Sequence, residues 1–227
     1  MSGTLYGVGT GPGDPELMTL KAWRLIAGAT TISYLCANGA ESTALEIARP
    51  FLPDEYIAIA IDMPMRVERE PAKAAYDHGC ARIAAVLAQG KDVVFLCEGD
   101  PFFYGSFMYV FQRLAPKYKV VVVPGVTSIS AAAAELGQHL VERDEVLKVL
   151  PATMSSENLQ LELANAGAAA IIKVGRHFGK VKATLKTLGL DGTAITHATK
   201  PDQIIRPLSE IEGDTLPYFT TIIVKRK

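Results

Sequence analysis

The stretch Asp92–Ser106, DVVFLCEGDPFFYGS, constrains the fold more than any other part of the chain. Val93, Val94, Phe95 and Leu96 are apolar without a break. A strand of that kind must be covered on both faces, as in a parallel sheet flanked by helices. Gly99-Asp100-Pro101 ends it. Asp100 is a helix-capping residue, and Pro101 suits a first helical position because its missing N–H costs nothing there. Phe103, Phe107, Val110, Phe111 and Leu114 then recur at helical spacing and predict a helix from Pro101 with one apolar face. A strand that ends abruptly in a helix is where open α/β sheets hold their ligands. The tripeptide returns as Gly13-Asp14-Pro15, after a strand over Thr4–Val8 and before a stretch in which Met18, Ala22, Leu25 and Ile26 share a helical face. Two such turns in one chain are expected to form two walls of one site.

The rest of the first half alternates in the same way. Strands are expected at Thr30–Leu35, Tyr56–Ile61 and Lys119–Val123, and helices at Glu41–Arg49 and Ala72–Ala88. Tyr76, Cys80, Ile83 and Leu87 mark the inner face of the second helix, and Gly90 stops it. Residues Asp62–Glu70 read as a loop. This β-α-β order predicts a mostly parallel five-stranded sheet. Pro124-Gly125 marks the boundary between an N-terminal α/β domain, 1–124, and a C-terminal α/β domain, 125–227. In the latter, strands are expected at Val146–Leu150, Ala169–Val174, Thr193–His197 and Thr220–Lys225. Its helices are expected after Thr127-Ser128, at Glu157–Ala166 and at Lys180–Leu188. They alternate less regularly, so the second sheet should be mixed.

Bulk properties exclude several classes. With 227 residues, 49% apolar and 21% charged, the chain can bury a sizeable core. A formal net charge of −1 gives no global field for nucleic acid. No apolar run reaches membrane-spanning length, and no secretory leader is expected. The three cysteines, Cys36, Cys80 and Cys97, fit a reducing cytoplasm and read as small core residues.

The candidate chemistry is sparse. Gly7-Val8-Gly9-Thr10-Gly11-Pro12-Gly13 fails the dinucleotide fingerprint, because Pro12 stands where the third Gly belongs, and it lacks the Lys of a phosphate loop. Its glycines let backbone approach a ligand closely. None of His78, His139, His177 and His197 has metal-ligand spacing, so no metal is expected. His177 and His197 follow strand ends and are the better candidates for a site. Glu98 and Asp100 lie too close on one turn to flank a glycosidic bond. Asp100 reads first as a cap, whereas Glu98 has no comparable structural task. Trp23 reads as packing. A Gly/Pro-lined site with little acid–base machinery suits group transfer from an activated donor.

Five blocks in order, LYGVGTGPGDPELMTLKA, EGDPFFYGSF, VVVPGVTSISAAAAELG, IIKVGR and HATKPDQIIRPL, cover nearly the whole chain. Together they resemble the S-adenosylmethionine-dependent tetrapyrrole (corrin/porphyrin) methylase family. EGDPFFYGSF, LPAT at Leu150–Thr153, KVGRHFGKV at Lys173–Val181 and PYFTTIIV resemble most the branch that methylates C20 of precorrin-2. The resemblance implies two α/β domains with S-adenosylmethionine held between them, a small-molecule tetrapyrrole substrate and a homodimer. It implies cofactor-binding residues Pro12, Glu98, Gly99, Asp100, Phe103, Thr127, Ser128, Val174 and Ala198. Val174 stands where many relatives have Met, and Ala198 where many have Gly.

A helix N-terminus disfavours a sulfonium but suits the cofactor's carboxylate. Strand-end carbonyls and acidic groups suit its polarised CH groups. In-line placement of the donor and an already nucleophilic ring carbon is worth on the order of 7–11 kcal/mol. The sequence therefore assigns no catalytic residue; Asp100, His177, Tyr104 or water remain for proton removal. Arg66, Arg69, Lys173, Arg176 and His177 are candidates for meeting the substrate's carboxylates, with surface charge the simpler reading of Arg69. Two alternatives stand beside this reading: a family member acting at another ring position or on another substrate, and a nucleotide-binding regulatory module. Whether the substrate carries cobalt is not legible in the sequence.

Overall fold

A computed structural model describes residues 2–64 and 69–226. They form two compact units, 1–127 and 128–227.

The first unit contains β1 (Thr4–Gly9), α1 (Leu20–Ala27), β2 (Thr31–Ala37), α2 (Thr43–Ala48), β3 (Ile57–Met63), α3 (Arg69–Ala88), β4 (Val93–Cys97), α4 (Phe107–Leu114) and β5 (Lys119–Val123). The strands pair in parallel in the order β3-β2-β4-β1-β5. Every residue of β4 is buried, as its unbroken apolar run requires. Alternation along the strands sends side chains to two cores. Leu5, Val93, Phe95 and Cys97 pack with Ile83 and Leu87 of α3 and with Phe107, Val110 and Leu114 of α4. Val8, Val94 and Leu96 pack with Ala22 and Ile26 of α1 and Ala44 and Ala48 of α2. The chain leaves β1 toward β2 and leaves β4 in the opposite direction toward β5. The neighbouring strands β1 and β4 thus end at a topological switch point.

The second unit contains α5 (Ser128–Glu135), β6 (Leu147–Pro151), α6 (Ser156–Ala164), β7 (Ala168–Ile172), α7 (Phe178–Thr187), β8 (Thr193–Thr196), β9 (Ile204–Pro207) and β10 (Thr220–Lys225). Its strand order is β6-β7-β10-β8-β9. Only β6 and β7 are parallel; β10 runs against both its neighbours, and β9 runs against β8. The sheet is therefore mixed, as expected. α6 and α7 cover one face through Leu159, Leu163, Val181 and Leu185, and α5 covers the other through Ile129, Ala131 and Ala132.

Three local expectations change. Neither Gly-Asp-Pro turn opens an α-helix directly. Pro15 starts a single 3-10 turn, Pro15–Leu17, and Met18 is extended, so α1 begins only after Thr19, which accepts the Ala22 N–H at 3.2 Å. After Pro101 the chain makes a compact turn in which Tyr104 is left-handed, φ 55°, which no right-handed helix can accommodate. α4 accordingly starts at Phe107. The third change is β9, which the sequence did not announce. All four of its residues are exposed, so it carries no buried apolar pattern.

Candidate functional site

At the carboxyl end of the first sheet, three strand ends close on one another. Gly99 donates its N–H to Gly11 O at 2.8 Å and accepts the Gly11 N–H at 3.3 Å, joining the two Gly-rich loops in one antiparallel bridge. The Cys97 carbonyl accepts both the N–H (2.9 Å) and the hydroxyl (3.2 Å) of buried Thr10. A Cβ on Gly9 would lie 2.5 Å from Gly99 O, and one on Gly125 would lie 2.0 Å from the same oxygen. Side chains are sterically forbidden at both positions. The result is a backbone cradle at the switch point, which joins Gly99 of one Gly-Asp-Pro turn to the loop that leads into the other.

Asp100 holds the cradle together. Its Oδ1 accepts the N–H of Phe102 (2.9 Å) and of Phe103 (3.0 Å), while Oδ2 accepts the N–H of Gly125 at 3.0 Å. One carboxylate thus caps its own turn and ties it to the segment after β5. Asp14 does the local part of the same task, accepting the Glu16 N–H at 2.8 Å. Glu98 is half-buried beside Cys97. Burial, reinforced by the Glu98 charge, pushes the Cys97 thiol up to about 12, so it stays protonated and is no nucleophile at neutral pH.

In the first unit, Pro12, Glu98, Gly99 and Asp100 all fall on these loops, and Phe103 follows on the turn, 39% exposed rather than on a helix face. Thr127 lies just beyond Gly125. In the second unit, Ser128 is the first residue of α5, and its Oγ accepts the Thr221 hydroxyl at 3.4 Å. Val174 and Ala198 are buried at the ends of β7 and β8, the two strands flanking β10. Each sits between two residues of positive φ: Lys173 and Gly175 around Val174, His197 and Thr199 around Ala198. The Phe219 carbonyl accepts the His197 N–H at 2.9 Å, and the Gly175 carbonyl accepts the Leu216 N–H at 3.1 Å. Ser128, Val174 and Ala198 therefore share one end of the second sheet.

The charged candidates differ among themselves. His197 Nδ1 lies 2.6 Å from Asp202 Oδ2, and the hydrogen bond to His197 holds the Asp202 carboxyl below its ordinary range. Desolvation first, and then the Lys180 and Arg176 charges, lower the His177 pKa and so favour its neutral ring. Lys180 donates to Met154 O, a local structural task. Arg66 and the Arg69 side chain lie outside the described residues. Thr10 and Gly125 take part in the backbone cradle without having been singled out as site residues in the sequence. Gly125 follows β5 as Gly9 ends β1, and that shared position was the available signal. Among the described residues no cluster of His, Cys, Asp and Glu is arranged to hold a metal ion.

The family model for tetrapyrrole (corrin/porphyrin) methylases matches residues 4–212. The chain belongs to this family. It is 36% identical to the precorrin-2 C(20)-methyltransferase of Sinorhizobium sp, covering 98% of this chain and 95% of that protein. It is 32% identical to the cobalt-precorrin-2 C(20)-methyltransferase of Salmonella typhimurium, covering 100% and 98%. A Mycobacterium tuberculosis protein named cobalamin biosynthesis protein CobIJ is 40% identical over 96% of this chain, which spans only 45% of that protein. Among solved structures, the cobalt precorrin-4 methyltransferase CbiF superposes with a TM-score of 0.74 at 23% identity, over 98% of this chain and 94% of that one. The methyltransferase CobJ gives 0.73 at 22% identity, over 99% and 94%. Both share the fold.

Proposed function

We propose that the protein transfers the methyl group of S-adenosylmethionine to C20 of precorrin-2, or of its cobalt complex, in cobalamin biosynthesis. The observation that carries this reading is the end-to-end similarity to two C20-methyltransferases, which leaves few of their residues without a counterpart. The cradle fits the donor. Gly9 and Gly125 let the loops pack main chain on main chain, and Gly99, half-buried and with nothing nearer than 3.8 Å to where a Cβ would sit, leaves room for a ligand against the backbone. When bound, S-adenosylmethionine supplies an activated methyl on a sulfonium. The strand-end carbonyls and Glu98 favour positive charge and polarised CH groups. Pro12, Gly99, Asp100, Phe103 and Thr127 in the first unit, and Ser128, Val174 and Ala198 in the second, complete the proposed binding set. Catalysis is placement: the residues orient two reactants whose reactivity is already present, a contribution on the order of 7–11 kcal/mol.

The partner is a small tetrapyrrole, and the protein works in the cytoplasm as a homodimer without a bound metal. Methylation at another ring position is the second reading, favoured by the 27% identity to the precorrin-4 C(11)-methyltransferase of Rhodococcus erythropolis over 89% of the chain.

The test is incubation of the purified chain with S-adenosylmethionine and either precorrin-2 or cobalt-precorrin-2. Product mass and NMR report the number and position of added methyls. A single methyl at C20 is expected. Methylation elsewhere selects the second reading, and absence of both calorimetric heat with S-adenosylhomocysteine and product rejects the family chemistry for this chain. Light scattering reads the dimer.

A further inference from the structure

We propose that Tyr104 is a substrate contact, and that the strained turn carrying it serves to hold its aromatic ring against the tetrapyrrole. The proposal rests on the methyltransferase reading above. Tyr104 has φ 55°. A left-handed backbone brings Cβ against the following carbonyl, so for a bulky aromatic residue this conformation persists only where its surroundings enforce it.

Here they do. Asp100 Oδ1 fixes the N–H groups of Phe102 and Phe103. Phe102, itself 49% exposed, packs edge-on to Phe111 at 5.0 Å and lies 6.1 Å from Phe107, which ties the turn to α4. On the other side Gly105 packs so closely that a Cβ would lie 2.6 Å from both Asp100 O and Pro101 O.

The strain is not repaid by burial. Tyr104 is 40% exposed and lies in none of the hydrophobic cores. Its ring stands edge-on to Phe103, centroids 5.3 Å apart at 86°, so the two half-exposed rings present one rigid aromatic corner five residues past Gly99 of the cradle. Enforced strain with no return in the core is characteristic of ligand clamps. What Tyr104 itself adds to that corner is a flat π surface with a phenol donor. That suits a large conjugated ligand rimmed with carboxylates better than it suits a methyl donor.

The experiment compares wild type with Tyr104→Gly, which relieves the strain, and Tyr104→Asn, which tolerates positive φ and guards against a turn made too loose by glycine. Ligand-free melting temperature, S-adenosylhomocysteine affinity, and KM and direct binding of precorrin-2 by absorbance are measured on each. Both variants are expected to melt at or above wild type and to bind S-adenosylhomocysteine within about twofold. They are expected to lose about tenfold in precorrin-2 binding and KM. Unchanged precorrin-2 binding overturns the proposal. So does a loss that falls only in step with melting temperature and S-adenosylhomocysteine affinity, since that is a structural role. Wild type that binds precorrin-2 but forms no C20 product rejects the parent reading and leaves the role of Tyr104 to be decided by the binding comparison.

Discussion

Gly125 lies so close to Gly99 that a side-chain carbon on the former would fall 2.0 Å from the carbonyl oxygen of the latter. The reverse does not hold: a Cβ on Gly99 meets nothing nearer than Val126 O at 3.8 Å, and Gly99 is special only through its φ of 61°. The two glycines are thus required for different reasons, one by space and one by backbone conformation.

That difference is measurable. Gly99→Ala is expected to cost about 1–2 kcal/mol in urea unfolding, the penalty of a left-handed alanine. Gly125→Ala must move backbone against backbone, and is expected to cost at least about 3 kcal/mol or prevent folding. A β-branched residue at Gly99 should abolish S-adenosylhomocysteine binding while the protein still melts cooperatively. Full affinity in Gly99→Val would show that this loop does not touch the cofactor.

Asp100 accepts three backbone N–H groups, so its removal should register in stability before chemistry. Asp100→Ala is expected to lose about 1.5–3 kcal/mol, because the bonds are to a charged acceptor. Denaturation of the variant checks it. An unchanged midpoint together with a large fall in kcat would instead make Asp100 a reacting group.

Stability should fall at alkaline pH. Burial raises Cys97 to about 12, Cys80 to about 11 and Tyr76 to about 12, from ordinary values of 9.0, 9.0 and 10.0. Each group keeps its proton in the folded state over a range where the unfolded chain has lost it. Their contribution is complete below pH 9 and is lost as pH rises from about 9 toward 12, at up to about 1.4 kcal/mol per pH unit for each group. Melting temperatures across that range test the slope. Cys97→Ser should flatten it.

Phe107 is fully buried, 5.3 Å from Phe95, and a Cβ on Gly7 would lie 2.2 Å from its ring. Phe107→Ala is expected to cost about 3–5 kcal/mol. Phe103→Ala, on the exposed side of the same segment, should cost under about 1 kcal/mol and weaken cofactor binding instead. Paired denaturation and calorimetry separate the two roles.

Periodicity and the order of strands and helices along the chain announced the parallel sheet of the first unit and the mixed sheet of the second. The reason is that Val93–Cys97 can be buried on two faces only between helices, and that Tyr76, Cys80, Ile83 and Leu87 can share a face only on one. The loops of the site were legible too, because glycine and proline mark backbone that must turn sharply or come close. What sequence spacing did not disclose is where α1 and α4 begin. Phe103 stands at helical spacing from Phe107, yet Asp100 captures the Phe102 and Phe103 N–H groups for a turn, and the helix starts only after left-handed Tyr104. Strand β9 escaped for the opposite reason: hydrogen bonds to β8 define it and no buried pattern announces it. The pairing of Gly11 with Gly99 and the reach of Asp100 to Gly125 span 88 and 25 residues of chain. Such contacts depend on which strands become neighbours, and strand order is a property of the folded sheet.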